Sequence, residues 1–130
     1  MTTDLKKAIV LFAHGSRDPL WHRPIQDVAA CIIANDPKAI VECAYLELSS
    51  PDLHTTSSKL IESGVQSIHI TPMFLGVGKH AREDLPELVH NLREQFPSVQ
   101  FHLQRAVGED ERLINLLALI AAESVSTSIP

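Results

Sequence analysis

The segment AIVLFAHGSR, residues 8–17, sets a six-residue apolar run directly before a polar loop. The apolar run AIVLFA is too short for a helix and rich in strand-forming side chains, so it predicts a β-strand. Three more runs of this kind follow along the chain: AIVECAYL at 39–46, SIHITPMFL at 67–75 and VQFHLQ at 99–104. We therefore expect four strands.

Each predicted strand is followed by a stretch in which apolar or small residues recur every three or four positions. This spacing is typical of a helix that buries one face. The positions are Ile25, Val28, Ala29 and Ile32, then Leu53, Ser57, Leu60 and Ile61, then Leu85, Leu88, Val89 and Leu92, and finally Leu113, Leu116, Leu117 and Ile120. The sequence predicts four helices that alternate with the four strands.

Proline and glycine mark several of the helix ends. Asp36-Pro37 and Phe96-Pro97 predict the ends of the first and third helices, because a residue before proline disfavours helical geometry. Ser50-Pro51-Asp52 predicts the start of the second helix, with the serine as N-cap, the proline as first residue and an acid that matches the helix dipole. Gly64 predicts its end.

The alternation βαβαβαβα predicts an α/β fold, a three-layer sandwich in which helices cover both faces of a four-stranded parallel sheet. A chain of this length forms one domain, which we expect to span residues 1–130 with flexible ends at about 1–7 and 124–130. Ligands of such sheets bind beyond the carboxyl ends of the strands, where the strand order reverses. The loops that follow the strands are therefore the place to look for function.

The composition of the 130 residues is that of an ordinary globular domain, with 45% hydrophobic residues, 21% charged residues and a formal net charge of −5. This charge and the 5% aromatic content exclude the basic surface and stacking side chains of a nucleic-acid binder. The apolar run near the start is too short for a signal peptide or a membrane span. We expect a cytoplasmic protein without nucleic-acid or membrane partners.

Two histidines and a carboxylate follow three of the predicted strands. His14 follows the first strand, Glu47 the second and His80 the third, so all three are expected at one edge of the sheet. Two imidazoles and a carboxylate suit a divalent first-row metal ion and leave coordination positions open. Each histidine can instead cap a loop, and Glu47 can be a solvated acid before a helix. Trp21 either walls a pocket at this edge or packs on the first helix.

Small and cationic residues flank the histidines. Ser16 and Arg17 precede the first helix, where free backbone N–H groups favour an anion, although Arg17 can also be simply solvated. The motif GVGK lacks the spacing of a phosphate loop, and His80 stands where a Ser or Thr would hold magnesium, so no nucleotide site is expected. Gly76 and Gly78 either leave room for a flat, bulky ligand or make a turn.

Three stretches in this order, VLFAHGSRDP, YLELSSPDL and TPMFLGVGKHAREDLPELV, resemble the class II tetrapyrrole chelatases. The similarity extends over nearly the whole chain and is greatest to the small, single-domain sirohydrochlorin cobaltochelatases, relatives of the sirohydrochlorin ferrochelatases. It implies the parallel α/β fold of one chelatase half, and a homodimer whose sites face a shared cleft. The N-terminal flank and the tail SVSTSIP have no counterpart in the family pattern.

The resemblance implies ATP-independent insertion of a divalent metal ion into sirohydrochlorin, in tetrapyrrole biosynthesis of the cobalamin or siroheme type. His14 and His80 match the metal-binding and catalytic histidines of the family, and Glu47 matches their acidic partner. The metal ion is then a substrate, Co²⁺ first and Fe²⁺ or Ni²⁺ as alternatives, and no nucleotide takes part.

Sirohydrochlorin carries many carboxylates, so a protein of net charge −5 must meet it with local cations. Arg17, Lys79 and Arg82 flank the matched histidines and are the candidates. The expected substrate contacts are Ser16, Arg17, Gly76, Gly78, Lys79 and Arg82.

Two other functions use the same residues. A metal-holding protein or metallochaperone would bind the ion tightly through His14, Glu47 and His80 and would show no turnover with a tetrapyrrole. A hydrolase or a histidine phosphatase is disfavoured, because Ala13 stands where an arginine should precede the histidine and no G-x-S-x-G motif occurs.

Overall fold

The computed structural model describes residues 4–126 as strands and helices in strict alternation. The strands are β1 (Lys7–Ala13), β2 (Val41–Tyr45), β3 (Ser67–Pro72) and β4 (Gln100–Leu103). The helices are α1 (Arg23–Asn35), α2 (Leu53–Glu62), α3 (Lys79–Gln95) and α4 (Glu111–Ser126), and two short 3-10 turns, Pro19–His22 and Val107–Glu109, precede α1 and α4. The predicted order of elements is confirmed.

All four strands are parallel and lie in the order β2-β1-β3-β4. Leu11 of β1 lies opposite Cys43 of β2 on one side and Thr71 of β3 on the other. The strand order reverses between β1 and β3, which is where open parallel sheets bind ligands. The loops that carry His14 and His80 follow these two strands and therefore flank the reversal.

Three helix ends follow the predicted signals. α1 ends before Asp36 and α3 ends before Phe96, in each case at the residue that precedes a proline. Gly64 closes α2 with a φ of 98°, in the left-handed region that glycine adopts without a steric penalty.

The predicted start of α2 is wrong by two residues. α2 begins at Leu53, and its N-cap is Asp52, whose carboxylate accepts a hydrogen bond from the Thr55 N–H at 2.8 Å. This hydrogen bond lowers the pKa of Asp52. Aspartate caps a helix as well as serine does, so Ser50 and Pro51 remain in the loop before the helix.

One face of the sheet carries the main hydrophobic core. Side chains alternate along a strand, so Val10 and Phe12 of β1 face the same way as Ile68 and Ile70 of β3. Both α2 and α3 pack on this face. They bury against it Leu53, Leu60, Ala81, Leu85, Val89 and Leu92.

Among residues 4–126, α1 is the main cover of the opposite face. α1 packs over β1 and β2, where the Cys43 sulfur lies 3.9 Å from the Ile25 carbonyl oxygen, yet no residue of α1 is fully buried. α4 does not complete this layer, because its Leu116 and Ile120 side chains are 51% and 56% exposed. The predicted α/β fold, with helices on both faces of a four-stranded parallel sheet, is confirmed, although the α1 face is covered incompletely.

Regular secondary structure extends close to both ends of the described residues. Lys7 already belongs to β1, and the Lys6 ammonium donates a hydrogen bond to the Ser63 carbonyl oxygen at 2.7 Å. Residues 124–126 continue α4. The flexibility of the two ends stays a prediction. Residues 1–3 and 127–130 of those ends lie outside the described residues. Between residues 4 and 126, no helix is long and apolar enough to cross a membrane.

Candidate active site

The three predicted ligand residues lie in loops at the carboxyl edge of the sheet. His14 directly follows β1, Glu47 follows β2, and His80 is the second residue of α3, after the loop that leaves β3. All three side chains are exposed. The parallel strands thus deliver these residues to one edge, as expected.

The loops after β1 and β2 meet at Gly15. A Cβ atom at this position would overlap with the carbonyl oxygen of Glu47, so the close approach of the two loops requires glycine. Ser49 fastens the same junction: its hydroxyl accepts from the Ser16 N–H at 2.9 Å and donates to the Ser16 carbonyl oxygen at 2.7 Å. The junction fixes the backbone of His14 relative to that of Glu47.

His22 braces this junction from α1's side. Its Nε2 lies 2.8 Å from the Ser49 hydroxyl oxygen, and the imidazole is the donor because that hydroxyl already donates to Ser16. The ring stacks on Tyr45 with centroids 4.3 Å apart, and burial raises the pKa of Tyr45. The N–H groups of Ser16 and Asp18 have partners within the chain, so they are not the free anion-binding donors that the sequence suggested.

The ring of His14 rests on an apolar wall. Its centroid lies 4.4 Å from that of Phe74, and Trp21 donates a hydrogen bond from Nε1 to the His14 carbonyl oxygen at 3.1 Å. His14, Trp21 and Met73 contribute to the lining of a cavity of about 210 Å³. Of the two predicted roles of Trp21, the structure supports the pocket wall.

A strained residue follows Glu47. Leu48 has a φ of 61°, in the left-handed region that costs a leucine about 1–2 kcal/mol. Its side chain gains nothing from burial, since it is 59% exposed. Strain of this kind persists where the surrounding structure imposes it, and it is enriched at functional sites.

The predicted ligands share an edge without forming a closed ligand set. Among residues 4–126, no group of three His, Cys, Asp or Glu side chains is close enough to hold a metal ion. In the same range, the side chains of Glu47 and His80 form no hydrogen bond or ion pair. Both are therefore free to turn toward an incoming ion or ligand.

Three cations without carboxylate partners surround the edge. Arg17, Lys79 and Arg82 are exposed, and none of them forms an ion pair with any residue between 4 and 126. Gly76 and Gly78 lie in the loop between β3 and α3, where an added Cβ would meet nothing within 4 Å. This loop is therefore bordered by open space and by uncompensated positive charge.

Large apolar side chains are exposed on the loops after β1, β2 and β3. Leu20 and Trp21 are 68% and 58% exposed, and Leu48 and Leu75 are 59% and 66% exposed. Such residues are usually buried, and their concentration at one edge marks an interaction surface. The sequence interpretation missed the three leucines, although a leucine inside an otherwise polar loop beside a candidate histidine was a usable signal.

Comparison with known proteins gives one family. The CbiX family model matches residues 8–124. A protein from Methanococcus maripaludis named sirohydrochlorin cobaltochelatase is 35% identical over 83 residues, covering 64% of this chain and 58% of that protein. A protein from Priestia megaterium named sirohydrochlorin ferrochelatase is 31% identical over 118 residues, covering 88% of this chain and 43% of that protein.

The fold comparison agrees with the sequence comparison. A solved structure from Marinobacter aquaeolei VT8, described as a CbiX protein of cobalamin (vitamin B12) biosynthesis, matches with a TM-score of 0.80 and 28% identity. The match covers 92% of this chain and 98% of that one. This chain thus spans about half the length of the two curated relatives, and nearly the full length of the solved neighbour.

Proposed function

The chain belongs to the CbiX family, and we propose that it inserts a divalent metal ion into sirohydrochlorin, or a close tetrapyrrole relative, without a nucleotide. The observation that carries this proposal is the combination found at the carboxyl edge. Two exposed histidines stand among exposed apolar side chains and unpaired cations, with an open glycine loop beside them. A flat macrocycle with a rim of carboxylates has the matching chemistry.

The apolar side chains contact the face of the macrocycle. Leu20 and Trp21 come from the loop after β1, and Leu48 and Leu75 come from the two neighbouring loops, so they offer separate contacts to one broad ligand. Burying these side chains under the macrocycle favours binding by about 25 cal/mol for each Å² of apolar surface removed from water.

The three cations bind the carboxylates at the edge of the macrocycle. Arg17, Lys79 and Arg82 have no carboxylate partner between residues 4 and 126, so a carboxylate of the substrate displaces only water from them. Arginine binds a carboxylate in a two-pronged geometry, which fixes the rotation of the macrocycle over the edge. Ser16 contributes by holding the β1 loop through its bonds to Ser49, with Gly76 and Gly78 giving room for the ring.

Metal insertion exchanges two pyrrole N–H protons for one M²⁺ ion. The four nitrogen lone pairs must face the ion, and the two protons must leave the ring before or during its entry. His14, His80 and Glu47 bind the ion and accept the protons, since neutral imidazole and carboxylate do both. The absence of a closed ligand set among the described residues suits this role, because an ion held loosely is passed on to the macrocycle.

Cobalt is the proposed ion, with iron and nickel as alternatives. The two relatives are named for cobalt and for iron, and imidazole and carboxylate ligands bind several first-row ions in the general order of affinity. Supply of the ion then decides which product forms. A cytoplasmic location remains a prediction.

Absorbance-monitored insertion tests the function directly. Purified protein is mixed with sirohydrochlorin and Co²⁺, Fe²⁺ or Ni²⁺ separately, with and without ATP. We expect the product spectrum to appear faster than in protein-free controls, equally with and without ATP. Tight binding of the ion without any acceleration would instead identify a metal-holding protein and overturn the proposal.

We also propose that the working form is a homodimer. A single copy presents its site as an open edge, and the relative from Priestia megaterium is about twice as long as this chain, since the 118 matched residues are 43% of it. A second copy then supplies the wall that the other half supplies in a longer chain. The two sites face one cleft that encloses the macrocycle.

A further inference from the structure

A fourth arginine lies at the carboxyl edge, on the loop that leaves β4. Arg105 is the second residue after β4, and its side chain is exposed. It forms no hydrogen bond or ion pair with any residue between 4 and 126. The candidate site built from the loops after β1, β2 and β3 does not include this arginine, so its charge has no role there.

Arg105 and Arg82 line one cavity of about 170 Å³. The cavity lies between the first turns of α3 and the loop after β4. Most of the remaining lining is apolar and includes Phe74, Val77 and Leu85. A space of this size holds roughly five or six water-sized atoms. It therefore suits a short side arm of a ligand and is too small for a whole ring.

Contacts between two loops fix the shape of this cavity. The Gly108 N–H donates to the Phe74 carbonyl oxygen at 3.0 Å, and a Cβ at Gly108 would overlap with the Leu75 carbonyl oxygen. Phe74 and Ala106, which both line the cavity, are buried. The loop that carries Arg105 is thus held against the loop after β3, so the cavity needs no ligand to form it.

The charges around the cavity favour an anion. Arg82 and Arg105 contribute two positive charges to the lining, and Glu109 contributes one negative charge. The Arg112 guanidinium binds the two carboxylate oxygens of Asp110 at 3.0 and 2.7 Å and lowers the pKa of that carboxyl to about 2, with a smaller contribution from Arg105. Asp110 is therefore already paired with another arginine, and the cavity lining keeps one net positive charge.

We propose that this cavity binds one arm of the tetrapyrrole that ends in a carboxylate, with Arg82 and Arg105 on the carboxylate and the apolar lining on its CH₂ groups. The inference rests on the proposed function, because it assigns a pocket for part of that substrate. Arginine binds a carboxylate in a two-pronged geometry. An arm held here anchors the macrocycle on the β3–β4 side of the edge, whereas Arg17 and Leu48 lie on the β1–β2 side. Arg105 is then a substrate-binding residue.

Binding of the metal-free tetrapyrrole tests this pocket without an insertion step. Trp21 is the single tryptophan of the chain and is exposed at the carboxyl edge, so quenching of its fluorescence measures binding. We expect the Kd for sirohydrochlorin to rise about tenfold in Arg105→Gln, which loses a charged hydrogen-bond donor. It should rise only about threefold in Arg105→Lys, which keeps the charge and loses the two-pronged geometry.

Glu109→Gln should act in the opposite direction. This change removes the one negative charge of the cavity lining, and with it the repulsion of an incoming carboxylate. We expect the Kd for sirohydrochlorin to fall about two- to threefold. Loss of packing at Arg105 and Glu109 would weaken binding in both variants, so opposite signs separate a charge effect from a structural one.

Lys59→Gln is the matched control for net charge. Lys59 is exposed in the last turn of α2, and the end of that helix contacts Lys6, just before β1, at the opposite edge of the sheet. Its Kd for sirohydrochlorin should equal that of the unaltered chain. A fully amidated analogue of the tetrapyrrole is the matched control for the ligand and should bind equally to the unaltered chain and to Arg105→Gln. Circular dichroism verifies the fold of every variant.

The outcomes separate this pocket from the proposed function. If the unaltered chain binds sirohydrochlorin and Arg105→Gln binds it equally well, the pocket is excluded. Equal losses in Arg105→Gln and Lys59→Gln, a loss that persists with the amidated analogue, or a rise of Kd in Glu109→Gln would also overturn it. An unaltered chain that does not bind sirohydrochlorin would overturn the pocket and the proposed function together. A chain that binds it with the expected changes but inserts no metal would overturn the proposed function alone.

Discussion

The two faces of the sheet differ in how far one chain can complete them. On the core face, α2 and α3 bury a continuous apolar cluster that includes Phe12 and Phe74. On the groove face, α1 packs over β1 and β2 and leaves an apolar groove lined by residues of β1, β3 and α1, while α4 exposes most of its apolar side chains. The contrast indicates that the core face supplies most of the buried apolar surface of a single chain, whereas the groove face leaves part of its apolar surface exposed.

Phe12→Ala should have the largest effect on stability, because it removes a fully buried ring that packs edge-on against Phe74 at a centroid distance of 6.1 Å. We expect it to lower the free energy of unfolding by about 3–5 kcal/mol. Ile9→Ala, three residues earlier on the groove face, should cost less than half as much in dilute solution. Urea titrations at two protein concentrations measure both values.

If Ile9→Ala lowered the free energy of unfolding as much as Phe12→Ala at low protein concentration, the two faces would contribute equally to the single chain. If the loss for Ile9→Ala grew with protein concentration while that for Phe12→Ala did not, the groove face would be the one buried on association. Growth of this kind is expected when a groove residue is buried only in the dimer.

The histidines at the carboxyl edge of the sheet should matter for metal insertion and contribute little to the stability of the fold. His14→Ala and His80→Ala each remove an exposed side chain, so the free energy of unfolding should stay within about 1 kcal/mol of that of the unaltered chain. Metal insertion should slow by about 100-fold or more in each. If the two histidines act on one ion as a unit, the double variant should be scarcely slower than the slower single variant.

His90→Ala is the matched control, since His90 is also exposed but lies in the middle of α3, with its Nε2 3.1 Å from a carboxylate oxygen of Glu94. It should insert metal at the normal rate. A His14→Ala protein that folds, binds sirohydrochlorin and inserts cobalt normally would remove His14 from the proposed mechanism.

Most of the fold was predictable from the sequence because it depends on local signals. The alternation of short apolar runs with helical spacing gave the parallel sheet, and the strand ends gave His14, Glu47 and His80 a common edge. The direction of α4 was not predictable, because its apolar spacing is the same whether it covers its own sheet or another. The start of α4 also depends on tertiary contacts, since a Cβ at Gly108 would overlap with the Leu75 carbonyl oxygen.

The site was predictable in its residue types and less so in its geometry. The role of Ser16 depends on a hydroxyl from another loop, Ser49, and no sequence pattern links the two. The exposure of Leu48 and Leu75 likewise depends on how the loops leave the sheet. Side-chain roles set by contacts between distant segments remain beyond reach of one sequence.

Leu48→Asn should separate strain from binding at the edge. Asparagine tolerates positive φ better than leucine, so this change should raise the free energy of unfolding by up to about 1 kcal/mol. It should also raise KM for the tetrapyrrole, because an exposed apolar contact is lost. Leu20→Asn is the control: it should raise KM without raising stability, since Leu20 has no positive φ. A Leu48→Asn protein with unchanged KM would exclude Leu48 from the macrocycle contact.

The smallest expected effect on stability is that of His69, a polar residue that lines the groove. His69 stacks on His102 with centroids 4.5 Å apart, and a hydrogen bond of 3.2 Å links it to Ser67. Burial, the adjacent His102 ring and the Lys7 ammonium lower the pKa of His69. Asp36 and Lys38 also line the groove.

The lowered pKa fixes the sign of the pH dependence. The unfolded chain binds a proton at His69 near pH ~6.5, whereas the folded chain binds it only at lower pH, so the free energy of unfolding is fully retained above this value and falls as the pH drops below it. His69→Gln should flatten this part of the stability profile, measured by urea titration between about pH 5 and 8. If His69→Gln left the pH dependence of the free energy of unfolding unchanged, that dependence would come from other titrating groups and not from His69.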